Sequence, residues 1–152
     1  MKNLLRLSIS TLLILALFTM NGCKKNAEEP KEENSLSKTI LLTSHIWKFN
    51  DLSTTSLNPL IQVAVNYAKA SYGKNATINF LIDGTYTGSV TGQTENGYWE
   101  FNADETSIII DKGTAYEIKA NIIQLTSNVL ELNATYHDAT LGNVPVTIKL
   151  VK

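Results

Sequence analysis

Few residues of this sequence are candidates for metal binding or catalysis. The two histidines are His45 and His137, and only Asp138 lies beside one of them, whereas zinc needs three or four converging ligands. No Gly-x-Ser-x-Gly motif is present, and the glycines stand apart rather than in a phosphate-binding loop before a helix. Asp104 and Glu105 are adjacent acids, but they lie in a segment typical of a solvated turn. We therefore expect no enzymatic activity, no metal and no cofactor.

Aromatic side chains are the residues best suited to contact a ligand. Tyrosine and tryptophan combine an apolar ring with a polar group, so they can line the mouth of an apolar pocket. We predict a pocket for a small apolar or amphipathic molecule, with five candidate residues: Trp47, Phe80, Tyr86, Trp99 and Tyr116. Tyr98 and Trp99 are adjacent and point to opposite faces of a regular strand, so one of the two lies outside.

The segments that carry these aromatics predict β-strands. Residues 129–136 and 144–151 alternate apolar and polar side chains, which is typical of a sheet with one buried face. Turn residues divide the domain into eight strands, predicted at 46–52, 76–82, 85–90, 97–101, 106–111, 114–125, 129–136 and 144–151. Most connections are short, and an open sheet would leave unpaired edges. We therefore expect an all-β fold, an eight-stranded up-and-down antiparallel barrel, with a two-sheet sandwich as the alternative.

One segment departs from the strand pattern and predicts an α-helix between the first two strands. Asn58 suits the N-cap, Pro59 the first helical position and Gly73 the C′ position after the last turn. Helical spacing predicts one apolar face, composed of Leu60, Ile61, Ala64, Tyr67, Ala68 and Tyr72.

The N-terminus has the features of an export signal. Lys2 and Arg6 precede an apolar stretch, and the uncharged run 7–22 has 16 residues, fewer than the about 20 that span a bilayer as a helix. Cys23 follows directly and is the only cysteine, so it has no partner for an internal disulfide. Gly22 and Cys23, placed after this apolar stretch, resemble the lipobox of bacterial lipoproteins. The resemblance implies that residues 1–22 are a removable signal peptide and that Cys23 is acylated, which anchors the chain in a membrane.

Residues 23–38 predict a disordered, hydrated tether. They contain four lysines and four glutamates, and Leu36 is the one large apolar residue among them. Glu28 and Glu29 also resemble the acidic surface-export signal of some Gram-negative lipoproteins, and a plain linker is an equal alternative. The whole chain has 13 basic and 14 acidic residues and no arginine beyond Arg6, so we expect no binding to nucleic acid.

Residues 39–152 resemble the lipocalin-like domains of bacterial lipoproteins. The resemblance lies in Trp47 on the first strand, the long insertion that follows it, and the segments DGTY at 83–86 and GYWEF at 97–101. It implies the barrel fold more than a transport function. We expect a monomeric, non-catalytic protein anchored on the outer membrane and facing either the periplasm or the exterior.

The sequence is compatible with two functions. The first is a carrier that holds a small apolar or amphipathic ligand inside the barrel or at its mouth. The second is an interaction module whose barrel is filled by its own side chains and whose outer face binds a protein or glycan. Large residues at predicted inward positions, among them Ile78, Phe80 and Ile82, favour a filled interior.

Overall fold

The computed structural model describes residues 36–73 and 75–152. The predicted signal peptide, Cys23 and all but the last residues of the predicted tether lie outside these ranges. Within them, no helix has both the length and the apolar character needed to cross a membrane.

Eight antiparallel strands form a closed barrel in which each strand pairs with its neighbours in sequence. The barrel closes where β8 returns to β1, through the pairs Phe49↔Leu150 and Leu52↔Ile148. Closure leaves no sheet edge unpaired and confirms the predicted up-and-down barrel over the sandwich. The strands are β1 Trp47–Ser53, β2 Thr77–Phe80, β3 Thr85–Val90, β4 Gln93–Phe101, β5 Ser107–Ile110, β6 Ile118–Leu125, β7 Val129–Asp138 and β8 Gly142–Val151.

The chain reverses direction at the predicted turns. Gly84 and Gly113 take the positive φ values, 85° and 76°, that favour glycine. Only β3 has its predicted bounds at both ends, and the largest differences are in β2, which stops at Phe80, β4, which already starts at Gln93, and β6, which starts only at Ile118. Ile82, predicted to point inward, therefore lies in the β2–β3 turn and is 78% exposed.

The predicted helix is confirmed as α2, Pro59–Tyr72, in the connection between β1 and β2. Asn58 caps it, because its side chain accepts a hydrogen bond from the Leu60 amide at 3.0 Å. Gly73 ends it with a right-handed φ of −64° rather than the left-handed conformation typical of a C′ glycine. The predicted apolar face is wrong in part, since Ile61 and Val65 are buried while Leu60 and Tyr67 are exposed.

A second, shorter helix, α1, covers Lys38–Thr43 and was not predicted. Ser37 is its N-cap and accepts a hydrogen bond from the amide of Ile40 at 3.3 Å. Six residues are too few to establish a helical period, and the segment overlaps the predicted tether. The helix begins at Lys38, the last residue of the predicted tether, and its buried residue is Leu42.

Candidate ligand site in the barrel

One end of the barrel is closed by α1, which contacts β2 and β6. Leu42 and Trp47 are fully buried there, and the Trp47 indole N–H donates to the Leu42 carbonyl at 2.8 Å. The Lys38 ammonium donates to the carbonyl of Glu105 at 2.6 Å, which ties the start of α1 to the β4–β5 turn. The hydrogen bond satisfies the indole donor without water, so this end is a packed plug rather than an opening.

Aromatic rings fill the interior next to this plug. The Phe80 ring lies 5.6 Å from that of Trp99, and the Trp99 ring lies 5.3 Å from that of Phe101, both in edge-to-face arrangements. Trp99 also donates its indole N–H to the Leu81 carbonyl at 3.0 Å, which fixes the β2–β3 turn against the barrel. Its neighbour Tyr98 is 72% exposed, so the predicted opposition of these two side chains is confirmed.

The five predicted pocket residues do not all come together. Trp47, Phe80, Tyr86 and Trp99 belong to one buried core, with 0%, 1%, 9% and 7% of their surface exposed. Tyr116 is 81% exposed and lies in the connection before β6, outside this core. A side chain that lines a water-sized space keeps accessible surface, so the near-complete burial of Trp47 and Phe80 indicates packing without such a space around them.

The interior is more accessible at the end opposite α1, which we call the open end and define by Leu52, Ile110, Ile118, Tyr136 and Ile148. Three of these residues, Leu52, Ile110 and Ile148, keep part of their surface accessible. Ile118 is 39% and Tyr136 is 58% exposed.

The strand register places the open-end residues on the inner face. Ile118 pairs with Ile110, which in turn pairs with buried Trp99, and directly paired residues share a face of the sheet. Tyr136 pairs with Val144, which is 4% exposed. The exposed apolar surface at this end therefore belongs to the mouth of the barrel rather than to its outer wall.

Polar groups lie beside this mouth around Gly97. The Tyr86 hydroxyl donates to Asp111 Oδ2 at 2.9 Å, and the Tyr98 amide donates to Asp111 Oδ1 at 3.0 Å. Burial, the hydrogen bond to Asp111 and the nearby charges of Asp111 and Glu95 raise the pKa of Tyr86 to about 12. The phenol of Tyr86 thus stays protonated at neutral pH. The carboxylates near the mouth are those of Asp111 and Glu95, and the domain has no arginine that could pair with them.

Sequence reasoning missed Ile118, Tyr136 and Asp111 as site residues. The alternation of residues 129–136 places Tyr136 on the apolar face of its strand, but only the register shows that it ends that face at the mouth. Asp111 has a positive φ of 49° just after β5, and no sequence pattern indicated that its carboxylate turns back toward Tyr86.

The outer surface of α2 is also apolar. Leu60, Val63 and Tyr67 are 68%, 67% and 76% exposed and lie at helical spacing on one side. Beside them, a wide, shallow groove of about 380 Å³ separates α2 from β1 and is lined by Phe49, Asn50, Asn66, Lys69, Ala70 and Gly73. Lys69 crosses to Asp51 on β1 and forms an ion pair with it.

The histidines are not brought together with other ligating groups. The His45 ring lies 4.2 Å from the Trp47 ring in a tilted arrangement, whereas Nδ1 of His137 lies 2.9 Å from the Asn143 side-chain oxygen. In the ranges that the structure describes, no group of three or more His, Cys, Asp or Glu side chains is placed to hold a metal ion.

Comparisons with known proteins add little to this geometry. No family model matches the chain, and no curated protein matches it. Among solved structures, the chain is similar to a protein described as a DUF4847 family protein from Bacteroides vulgatus, with 21% sequence identity and a TM-score of 0.45. The match covers 72% of this chain and 93% of that one.

Proposed function

We propose that this protein is a membrane-anchored, non-catalytic, lipocalin-like barrel that binds a small amphipathic molecule at its open end. The observation that supports the proposal is the gradient of exposure along the interior. Near α1, Trp47 and Phe80 are almost completely buried, whereas the inward-facing Ile118 and Tyr136 at the other end are exposed. Exposed apolar side chains on the inner face of a barrel mouth provide surface that an apolar ligand would bury.

The polar groups at the mouth restrict the chemistry of the ligand. Asp111 accepts hydrogen bonds from Tyr86 and from a backbone amide, and the charge of Glu95 acts on the same phenol. A carboxylate or phosphate group beside these acids would be repelled, whereas an amine or a hydroxyl can donate to them. The ligand class is therefore an alkyl or ring body with a neutral or cationic polar group, rather than a fatty acid.

The test is displacement of a fluorescent apolar probe from the soluble fragment Lys24–Lys152. We expect saturable binding, stronger competition by a long-chain amine or alcohol than by the fatty acid of equal length, and weaker binding in the variant Ile118→Ser. Replacing one partly buried isoleucine that contacts the ligand with serine corresponds to roughly a tenfold loss of affinity.

The matched control is Ile123→Ser on the same strand. Ile123 is 54% exposed at the bulge between Ile122 and Gln124, away from the inward face. It should leave probe binding unchanged. Equal effects of the two isoleucine variants, or no displacement by any amphiphile, would remove the carrier function.

Membrane anchoring is the second part of the proposal and is tested separately. The lipobox-like segment ending at Gly22 and the single Cys23 support it. Wild-type protein should remain with the membrane fraction after a salt wash, and Cys23→Ser should be released. Retention of that variant in the membranes would contradict lipid anchoring.

A second candidate function is supported by the exposed stripe on α2. Leu60, Val63 and Tyr67 form an unpartnered apolar surface of the kind that protein interfaces use. In this alternative the barrel is a scaffold and α2 binds another envelope protein. Crosslinking in intact cells that is lost in Tyr67→Ser but kept in Ile118→Ser would favour the interaction module over the carrier.

A further inference from the structure

We infer that the α1 end of the barrel rests on the lipid surface, so that the open end points away from the membrane. The inference rests on the proposed lipid anchor at Cys23 and adds to it a defined contact between the folded domain and the bilayer. The contact would be made by five exposed apolar residues, which we call the basal patch: Leu36, Ile40, Ile46, Leu81 and Ile82.

The basal patch is brought together by topology. Strands β1 and β2 are antiparallel and pair through Trp47↔Ile78, so the residue before Trp47 and the residues after Ile78 lie at the same end of the barrel. Ile46 and Ile82, which occupy those places, are 53% and 78% exposed. The helix α1 contacts β2 at this end and places Ile40 there, 46% exposed.

The β2–β3 turn in the patch is held firmly. The Leu81 amide donates to the Thr85 carbonyl at 2.8 Å, and the Leu81 carbonyl accepts from the Trp99 indole at 3.0 Å. These bonds keep the exposed Ile82 at the tip of a closed turn. A fixed apolar tip loses little conformational freedom when it enters a lipid interface, which favours its contact.

The position of the chain entry identifies lipid as the occupant. The domain begins at Leu36, which is itself part of the patch, and thirteen residues separate it from the start of the chain after Gly22. Thirteen residues reach at most about 45 Å even when fully extended. An anchored chain of that length keeps the entry end of the barrel at high effective concentration against the same bilayer. Weak apolar contacts are then sufficient to orient the domain.

The charges near the patch argue for an apolar rather than an electrostatic contact. Lys38 and Lys152 lie at this end, and the acids Asp83, Asp104 and Glu105 in the adjoining turns balance their charge, so there is no excess of positive charge. Anionic lipids are therefore not required, and added salt should leave the contact in place.

The experiment uses full-length, processed protein bound to phosphatidylcholine vesicles, with an environment-sensitive dye on one engineered cysteine. Acylation consumes the Cys23 thiol, so Ile82→Cys carries the only reactive sulfur. We expect its dye emission to shift to the blue on vesicles and its quenching by aqueous iodide to fall severalfold, at low and at high salt. Tyr116→Cys is the matched control, since Tyr116 is 81% exposed and lies at the other end, and its dye should not change.

The outcomes separate this inference from the anchor itself. If the protein floats with vesicles and the Ile82 probe stays as accessible to iodide as the Tyr116 probe, the basal contact is refuted and the anchor stands. If the protein does not float, the proposed anchoring fails. If the Ile82 emission shifts without lipid and in proportion to protein concentration, a second copy of the chain covers the patch, and lipid contact is refuted.

Discussion

The substitution Gly97→Ala tests the packing beside the open end most directly. Gly97 lies opposite Tyr86 in the β3–β4 ladder. A Cβ at this position would lie 2.2 Å from Asp111 Oδ1 and 2.6 Å from Cε1 of the Tyr86 ring. Both distances are far below contact, so the ring and the carboxylate must move. Gly97 is thus the residue that lets Tyr86 cross β4 and reach Asp111.

The expected cost has two parts. Forcing one extra carbon into a packed site costs about 1–3 kcal/mol. Displacing Asp111 also weakens its hydrogen bonds to the Tyr86 hydroxyl and the Tyr98 amide, at about 1 kcal/mol each. We expect the free energy of unfolding to fall by about 3 kcal/mol, which for a domain of this size lowers Tm by about 10 °C.

Urea unfolding followed by tryptophan fluorescence measures this loss, and Gly88→Ala is the control. Gly88 lies on the neighbouring strand and has ordinary φ, and its added Cβ would come no closer than 3.8 Å, to the Thr77 carbonyl. That variant should change stability by less than about 0.5 kcal/mol. In the background of Tyr86→Ala, which is itself destabilising, Gly97→Ala should cost less than in the wild type, because the clashing ring is gone. Equal stability of the two glycine variants would refute the proposed clash of a Cβ at position 97 with Tyr86 and Asp111.

Three further outcomes follow from the core and from the titrating groups. Trp47→Phe leaves the Leu42 carbonyl without its donor and should lower the free energy of unfolding by about 2 kcal/mol in urea titration. Ultraviolet titration should show one tyrosine that ionises near pH 12, and this transition should be absent in Tyr86→Phe. Because the folded state holds this proton more tightly than the unfolded state, the free energy of unfolding of the wild type should fall as the pH rises from 10 toward 12. Burial lowers the pKa of His45 below its usual value of 6.5. The unfolded state therefore takes up the proton at a higher pH than the folded state does, and the free energy of unfolding should fall as the pH drops below 6.5. His45→Gln should flatten that part of the stability profile, and an unchanged slope would argue against the assignment.

The barrel could be predicted because its determinants are local. Period-2 alternation in β7 and β8 and the turns at Gly84 and Gly113 act over a few residues, and chain order then fixes which strands pair. The helix α2 was also predictable, because Asn58 and Pro59 mark its start by capping chemistry. The buried face of α2 could not be predicted, because Leu60 and Tyr67 are apolar as well. Packing against β1 determines that Ile61 and Val65 are the buried residues.

The candidate site could be predicted only in part, because it depends on contacts between distant segments. Aromatic residues were correctly assigned to the interior, but composition cannot show that Trp47 and Phe80 lie at the closed end while Tyr136 lies at the mouth. Composition also cannot reveal that Asp111 contacts Tyr86 across Gly97. Tyr86 lies 25 positions and Gly97 lies 14 positions before the aspartate in sequence. Register and barrel tilt decide these distances, and neither is encoded in a short motif.

The up-and-down topology also links the two proposals. The chain enters beside α1, and the β2–β3 turn lies at the same end, whereas the β5–β6 and β7–β8 connections lie at the other. A basal contact with lipid therefore leaves Ile118 and Tyr136 facing water, and ligand must enter from the aqueous phase rather than from the bilayer. We expect the dissociation rate of a fluorescent amphiphile to be the same for vesicle-bound protein and for the soluble fragment Lys24–Lys152, as measured by stopped-flow mixing with excess competitor. A rate that changes severalfold on vesicles would mean that the mouth faces the membrane, and it would contradict the orientation inferred from the basal patch.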